Sequence, residues 1–245
     1  MFWKKKKAPP WVSAVVVAAG KSSRMEGIDK QAVLLDQMPV VARSVLALTD
    51  CGQISEIVLV CPPERVADYY ELVREYDLDL VSKVVEGGQT RQMSVFAGIE
   101  ACDGRAAYFV IHDGARPLVT PTEVDACIGA AEAHGGAALG VRVKDTLKRV
   151  GKDGMIAGTV DREALVAIQT PQVFEAGLYH RAMALARQEV RDYTDDCQLI
   201  ERLGRKVYIV PGECANIKIT TPQDLIIAQG ILRAREGGFE EWLEV

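Results

Sequence analysis

Short apolar runs recur along the chain, each stopped by Gly, Pro or a polar cluster, and stretches with helical apolar spacing separate them. The pattern predicts strands over 12–18, 57–61, 80–85, 108–112, 137–143 and 207–210. Helical faces are predicted for Val41, Val45 and Leu48 after Pro39, and for Met93, Phe96, Ala97 and Glu100 after Thr90. Val124, Ile128 and Ala131 follow a cap at Pro121-Thr122, and Leu225 and Ala228 supply part of a late face after Thr221-Pro222. Strands alternating with helices build βαβ units, so the expected fold class is α/β, a doubly wound and mostly parallel sheet. In such sheets ligands bind beyond the carboxyl ends of the strands. One segment, 144–162, breaks the alternation: two short strands flank a Lys152-Asp153-Gly154 turn. So few large apolar residues make no core alone, so this hairpin either projects against a second subunit or stays a solvent-exposed flap.

Composition narrows the class. The chain has 245 residues, 49% hydrophobic and 26% charged, which suits a single globular domain over 12–235 with the hairpin arm inserted. A net charge of −5 excludes a general nucleic-acid binder, so anion binding must be local. Residues 1–11 carry four Lys but no following apolar core, and read as a disordered basic tail rather than a signal or a membrane span. Residues 236–245 read as an acidic tail. Six scattered Cys without a C-x-x-C pair suggest free thiols in a reducing cytoplasm. The three His lack metal-ligand spacing, and no G-x-S-x-G appears, so side-chain nucleophilic catalysis has little support.

The candidate chemistry clusters after strands. The run Val15-Val16-Val17 ends at Ala18-Ala19-Gly20, followed by Lys21-Ser22-Ser23-Arg24-Met25 and then Lys30-Gln31. Small residues admit backbone N–H groups close to a ligand, and Arg24 and Lys30 bring positive charge, which together suit a polyphosphate. Neither the P-loop nor the dinucleotide G-x-G-x-x-G spacing is met. After the third strand, Gly87 and Gly88 let backbone pack near a flat base, with Arg91 and Ser94 opening the next helix. After the fourth comes His112-Asp113-Gly114-Ala115-Arg116-Pro117, where Asp113 suits Mg²⁺ or a substrate hydroxyl and Arg116 could position it within one turn. A turn-capping Asp is the plainer alternative. Arg162 offers another cation, Thr170 a hydroxyl in an irregular stretch, and Tyr193-Thr194-Asp195-Asp196 a helix start that Thr194 could cap. Lys218 lies between two Ile in a strand-like setting, which favours an anion partner over plain solvation.

In order along the chain come A-A-G-K-S-S-R-M, K-Q, E-G-G-x-x-R-x-x-S-V, H-D-G-A-R-P, K-D-T-L-K-R, T-V-D-R, Q-T-P-Q, Y-T-D-D and N-I-K-I-T-T-P-x-D, from Ala18 to Asp224. This set resembles the 2-C-methyl-D-erythritol 4-phosphate cytidylyltransferase family of the non-mevalonate isoprenoid pathway. The resemblance implies a Rossmann-like nucleotidyltransferase fold with a projecting arm, a divalent cation such as Mg²⁺, and the substrates CTP and a polyol phosphate. It implies that Arg24 and Lys30 meet the CTP phosphates, and that Arg162 and Lys218 hold the acceptor phosphate. Ala18, Ala19, Gly20, Gly87, Gly88 and Ser94 would form the cytidine pocket, Asp113 the hydroxyl or metal contact, and Thr146, Thr170 and Thr194 polar substrate-side contacts. It further implies a homodimer whose interlocking arms, 144–162, bring Thr146 and Arg162 to the neighbouring site. Two departures stand out: Asp29 replaces the family's usual Pro before Lys30, and Gly114 stands where Ala is frequent, which should add freedom without removing a contact. A ribitol 5-phosphate cytidylyltransferase shares the CTP-side motifs and remains open, as does a nucleotide-binding regulator without catalysis.

Overall fold

A computed structural model describes residues 9–20, 31–189 and 191–237. Arg24, Lys30 and Asp29 lie outside the described residues, as do 1–8 of the basic tail and 238–245 of the acidic one. In chain order the elements are β1 (Val12–Val17), a small ribbon of β2 (Leu34–Leu35) and β3 (Met38–Pro39), α1 (Val40–Thr49), β4 (Glu56–Cys61), α2 (Val66–Glu75), β5 (Val81–Glu86), α3 (Arg91–Ala101), β6 (Tyr108–Asp113) and α4 (Pro121–His134). Then follow β7 (Gly136–Arg142), β8 (Lys148–Val150), β9 (Ile156–Thr159), β10 (Val166–Glu175), α5 (Ala176–Glu189), α6 (Asp196–Arg202), β11 (Tyr208–Pro211) and α7 (Pro222–Gly237). Seven strands form one sheet in the order β11-β7-β10-β6-β1-β4-β5. All neighbours are parallel except β10, which runs antiparallel to both β6 and β7.

The sheet is covered on both faces. Every residue of β1 is buried, as a central parallel strand requires. Its alternate side chains feed two cores. Ala14 and Val16 join Val41, Val45 and Leu48 of α1 and Val124, Ile128 and Ala131 of α4. Val15 and Val17 join Phe96 and Ile99 of α3, Tyr179 and Ala182 of α5, and Leu199 and Ile200 of α6. Each fully buried Leu or Ile contributes about 1.5–3 kcal/mol relative to exposure. Gly98 lets α3 sit directly on the sheet, since a Cβ there would lie 2.4 Å from Val15 and 2.8 Å from Val60. No helix among the described residues is long and apolar enough to cross a membrane.

Several expectations need correction. The stretch around Gln169-Thr170, read as irregular, belongs to β10, the longest strand of the sheet. It escaped notice because Gln169, Thr170 and Gln172 interrupt its apolar pattern, yet all three are buried by neighbouring strands and loops. The buried face of α3 is Ser94, Val95, Phe96, Gly98 and Ile99, whereas Met93 and Glu100 are exposed. Thr120, not Pro121-Thr122, caps α4, in a capping box with Glu123. Residues 216–220 form no strand, and Asp195 rather than Thr194 caps α6. Trp11, assigned to the tail, is docked: its carbonyl accepts from the Ala107 amide at 2.8 Å and the Arg105 guanidinium lies 3.7 Å from its ring. Within 144–162, β8 and β9 pair antiparallel, and Gly154 turns between them at φ 79°.

Candidate active site

Adjacent strands β1, β4, β5 and β6 end along one rim, where backbone bonds keep them zipped past their last residues. Ala18 N donates to Val60 O at 2.7 Å, Gly87 N to Cys61 O at 2.8 Å and Gly114 N to Val17 O at 2.9 Å. The rim borders a cleft of about 1170 Å³, lined by Ala18, Ala19, Gly20, Gln31, Gly87, Gly88, Arg91, Ser94, Asp113 and Lys218 among others. The location is the one favoured by open α/β sheets, beyond the carboxyl ends of central strands.

One wall of the cleft is the turn before α3. Thr90 caps the helix by accepting from Met93 N. Ser94 Oγ accepts from Gly88 N at 3.1 Å and donates to Thr90 O at 3.0 Å, so this buried hydroxyl pins the Gly87-Gly88 turn to the helix. The two glycines first serve the protein itself: a Cβ on Gly87 would fall 2.2 Å from the Ala19 Cβ, and one on Gly88 2.4 Å from the Met93 Cβ. Gly114 is likewise confined, with Gln31 Oε1, Val17 O and Ala18 Cβ 3.1–3.3 Å from where its Cβ would lie.

The opposite wall is a cluster of charge at the end of β6, with Asp113 and Asp196 buried and Arg91 and Lys218 half-buried. Asp113 Oδ2 accepts from Lys218 Nζ at 2.6 Å, and Oδ1 from Arg91 Nε at 3.2 Å. Arg91 Nη1 reaches Asp196 Oδ2 at 2.7 Å, and Asp196 Oδ1 accepts from the Tyr179 hydroxyl at 2.6 Å. Burial opposes ionisation of Asp113, but Arg91 and Lys218 more than offset it and hold the carboxyl far below the usual range. Lys218 thus has an anion partner within its own chain. Packing turns it there: Ile217 and Ile219 face the cluster of Leu35, Val40 and Leu118, and Ile219 N donates to Ala115 O at 2.8 Å.

Arg116 does not pair with the Asp113 carboxylate as the sequence suggested. Its Nη1 donates instead to Asn216 O at 2.7 Å, lacing the loop after β6 to the Lys218 segment. Thr170 lies behind Asp113 rather than in the cleft. Its Oγ1 accepts from Asp113 N at 3.0 Å and lies 3.1 Å from His112 Nδ1, while His112 Nε2 lies 3.2 Å from Arg116 O. Full burial pushes His112 down to about 4, so it is neutral. Neutral His112 then donates from Nε2 and accepts Thr170 Oγ1–H at Nδ1, which leaves Thr170 no hydroxyl proton for a ligand.

Three expected residues stand apart from this cleft. Thr146 and Arg162 are exposed on the arm, where Arg162 Nη1 donates to Lys144 O. Thr194 is exposed, and its Oγ1 accepts from Gln198 Nε2 at 2.7 Å. The sequence reading did not name Tyr179 and gave Gln172, the last residue of the Q-T-P-Q motif, no role of its own. Tyr179 sits in an ordinary apolar helical face and carried no signal, and Gln172 lies in a stretch not recognised as a strand, which hid its structural partner.

A family model described as 2-C-methyl-D-erythritol 4-phosphate cytidylyltransferase matches residues 12–234. The enzyme of that name from Caldanaerobacter subterraneus is 45% identical over 224 residues, 91% of this chain and 99% of that protein. Its namesake from Pelotomaculum thermopropionicum is 42% identical over 234 residues, 94% of this chain and 98% of that protein. Among solved structures, 4-diphosphocytidyl-2C-methyl-D-erythritol synthase from Anaerococcus prevotii superposes with a TM-score of 0.81 at 29% identity, covering 92% of this chain and 97% of that one. The Thermus thermophilus 2-C-methyl-D-erythritol 4-phosphate cytidylyltransferase gives 0.76 at 32%, covering 91% and 99%.

Proposed function

Because the chain belongs to the 2-C-methyl-D-erythritol 4-phosphate cytidylyltransferase family, we propose that it transfers CMP from CTP to 2-C-methyl-D-erythritol 4-phosphate, releasing pyrophosphate. The observation that carries this reading is the meeting, around one cleft, of the Ala18-Ala19-Gly20 strand end, the Gly87-Gly88 turn and the Asp113–Lys218 pair. The two small-residue turns form the nucleotide side and expose backbone to a flat base. Lys218 forms the acceptor side, exchanging Asp113 for the incoming phosphate.

The chemistry follows from the charges. An acceptor phosphate oxygen attacks the α-phosphorus of CTP, a P–O bond forms, and the bond to the β-phosphate oxygen breaks to release pyrophosphate. A phosphate monoester is anionic at neutral pH, so no strong general base is needed. His112 could not serve as one, being buried with both ring nitrogens engaged. Catalysis is alignment and charge neutralisation, the work of Arg24, Lys30 and Lys218.

A divalent cation fits this site through one carboxylate. Asp113 is ionised, lines the cleft and spends one contact per oxygen on Lys218 or Arg91, leaving lone pairs free. A hard cation of this kind is commonly held by one or two carboxylates together with substrate phosphates. Bound there, Mg²⁺ would neutralise developing phosphate charge.

The arm supplies the rest of the acceptor site to a second copy of the chain. Val150, Met155 and Ile156 are exposed on it, an apolar surface that association would cover, and Arg162 and Thr146 would then meet the partner's cleft. Six free thiols, with Cys214 exposed, suit a cytoplasmic enzyme.

Radiolabelled CTP with a panel of polyol phosphates tests the proposal. Methylerythritol phosphate should give the cytidyl diphosphate product, whereas exclusive use of ribitol 5-phosphate would refute the acceptor. Arg24→Ala and Lys30→Ala should each lose roughly 10²–10³-fold in turnover while the chain stays folded. Near-normal turnover would discard their assignment.

A further inference from the structure

We propose that Asp196, braced by Tyr179 and Gln172, is a positioning residue that holds Arg91 against Asp113. The proposal deepens the function above and rests on it. Asp196 is the first residue of α6, Arg91 the first of α3, Tyr179 lies on α5 and Gln172 on β10, so four elements converge on one residue, Arg91 and Tyr179 at its carboxylate and Gln172 at its backbone N–H.

Each polar group of Asp196 is committed. Oδ2 accepts from Arg91 at 2.7 Å, Oδ1 from Tyr179 at 2.6 Å, and the backbone N donates to Gln172 Oε1 at 3.0 Å. The side chain is 2% exposed and does not line the cleft, so it cannot touch a substrate there. Tyr179 is itself clamped between Phe109 and Phe174, with ring centroids 6.1 and 5.7 Å away. The brace is therefore built from the rigid core outwards.

Arg91 is what the brace controls. Its guanidinium spans two carboxylates, Asp196 through Nη1 and Asp113 through Nε. With Lys218, the cluster holds two cations and two anions and is formally neutral. Arg91 is thus no surplus cation for a triphosphate. It fixes the Oδ1 side of Asp113, so that when Lys218 moves from Oδ2 to an acceptor phosphate, the carboxylate keeps its orientation. Without Asp196, a long guanidinium at the mouth of the cleft would be drawn to the ligand phosphates instead, and Asp113 would lose its anchor.

The test is a double-mutant cycle on CMP transfer, with thermal melts of every variant. Asp196→Asn should lower kcat/KM about 10²-fold, the scale of a misplaced catalytic group. Arg91→Met should lose as much, and Asp196→Asn added to it should lose nothing more. Tyr179→Phe, which removes one hydroxyl and keeps the core ring, should show a smaller loss and covers the case in which Asp196→Asn fails to fold. The losses should fall on kcat more than on the KM for CTP, because the Gly87-Gly88 wall is untouched. Wild-type rates in Tyr179→Phe and Asp196→Asn, or multiplying losses in the double variant, would overturn the brace. An inactive wild-type protein would instead overturn the proposed function.

Discussion

The cluster around Asp113 and the arm over 144–162 each carry a cation and a hydroxyl that the sequence singled out, in opposite circumstances. In the cluster, Lys218, Arg91 and Thr170 are held by partners from other elements, and Asp113 is 10% exposed. On the arm, Thr146 and Arg162 are exposed, and the contact of Arg162 is with Lys144 of the same arm. Preorganisation in the cluster comes from the fold of a single chain. On the arm it has to come from whatever covers Val150, Met155 and Ile156. A site can be half finished by folding and half by association, and the two halves should fail differently when disturbed.

The largest effect expected follows from removing the arm. Replacing residues 147–160 with a short Gly-Ser linker should abolish transfer and leave a monomer, while calorimetry still detects CTP binding. An active monomer in sedimentation would collapse the contrast between the two regions. Next, Lys218→Ala should raise the KM for the acceptor, with a loss in kcat/KM of roughly 10²-fold. Arg162→Ala should act in the same direction but less, because Lys218 still meets the acceptor phosphate. If either weakened only CTP binding, its acceptor-side role would be wrong.

Two smaller effects sharpen the account of the cluster's scaffold. Gly87→Ala forces a Cβ to 2.2 Å from Ala19, so overpacking should cost about 1–3 kcal/mol in a denaturant melt and weaken CTP binding. An unchanged melt would show that the turn has slack. His112 stays neutral down to about 4 in the folded chain, whereas an unfolded His protonates near 6.5. Its contribution to stability is therefore complete above pH 6.5 and is lost as pH falls towards 4, at up to about 1.4 kcal/mol per pH unit. His112→Asn should flatten that acid-side slope by about one proton, measured by urea unfolding at stepped pH. An unaltered slope would mean that His112 is protonated in the native state.

Local pattern made much of the fold legible. The six strands read from apolar runs all occur in the sheet, and α1 and α4 bury the faces that their spacing predicts. The failures have a common cause. β10 carries Gln169, Thr170 and Gln172, polar side chains whose burial is satisfied largely by partners distant in sequence, such as Asn216, Asp113 and Asp196. The face predicted for α3 is right at Phe96 but misses Met93 and Glu100, because Gly98, with no side chain, marks the contact with β1 and β4, and Ser94 is buried against the Gly87-Gly88 turn.

The same division runs through the site. Sequence by itself determined the strand ends, the small residues along the rim, and the residue types that would meet there, because these follow from short-range periodicity and composition. Only the tertiary structure decided that Lys218 meets Asp113, that Arg116 turns to Asn216 instead, and that Asp196 reaches Arg91. Those pairings join residues about a hundred positions apart, and a buried charge takes the partner that packing leaves within reach.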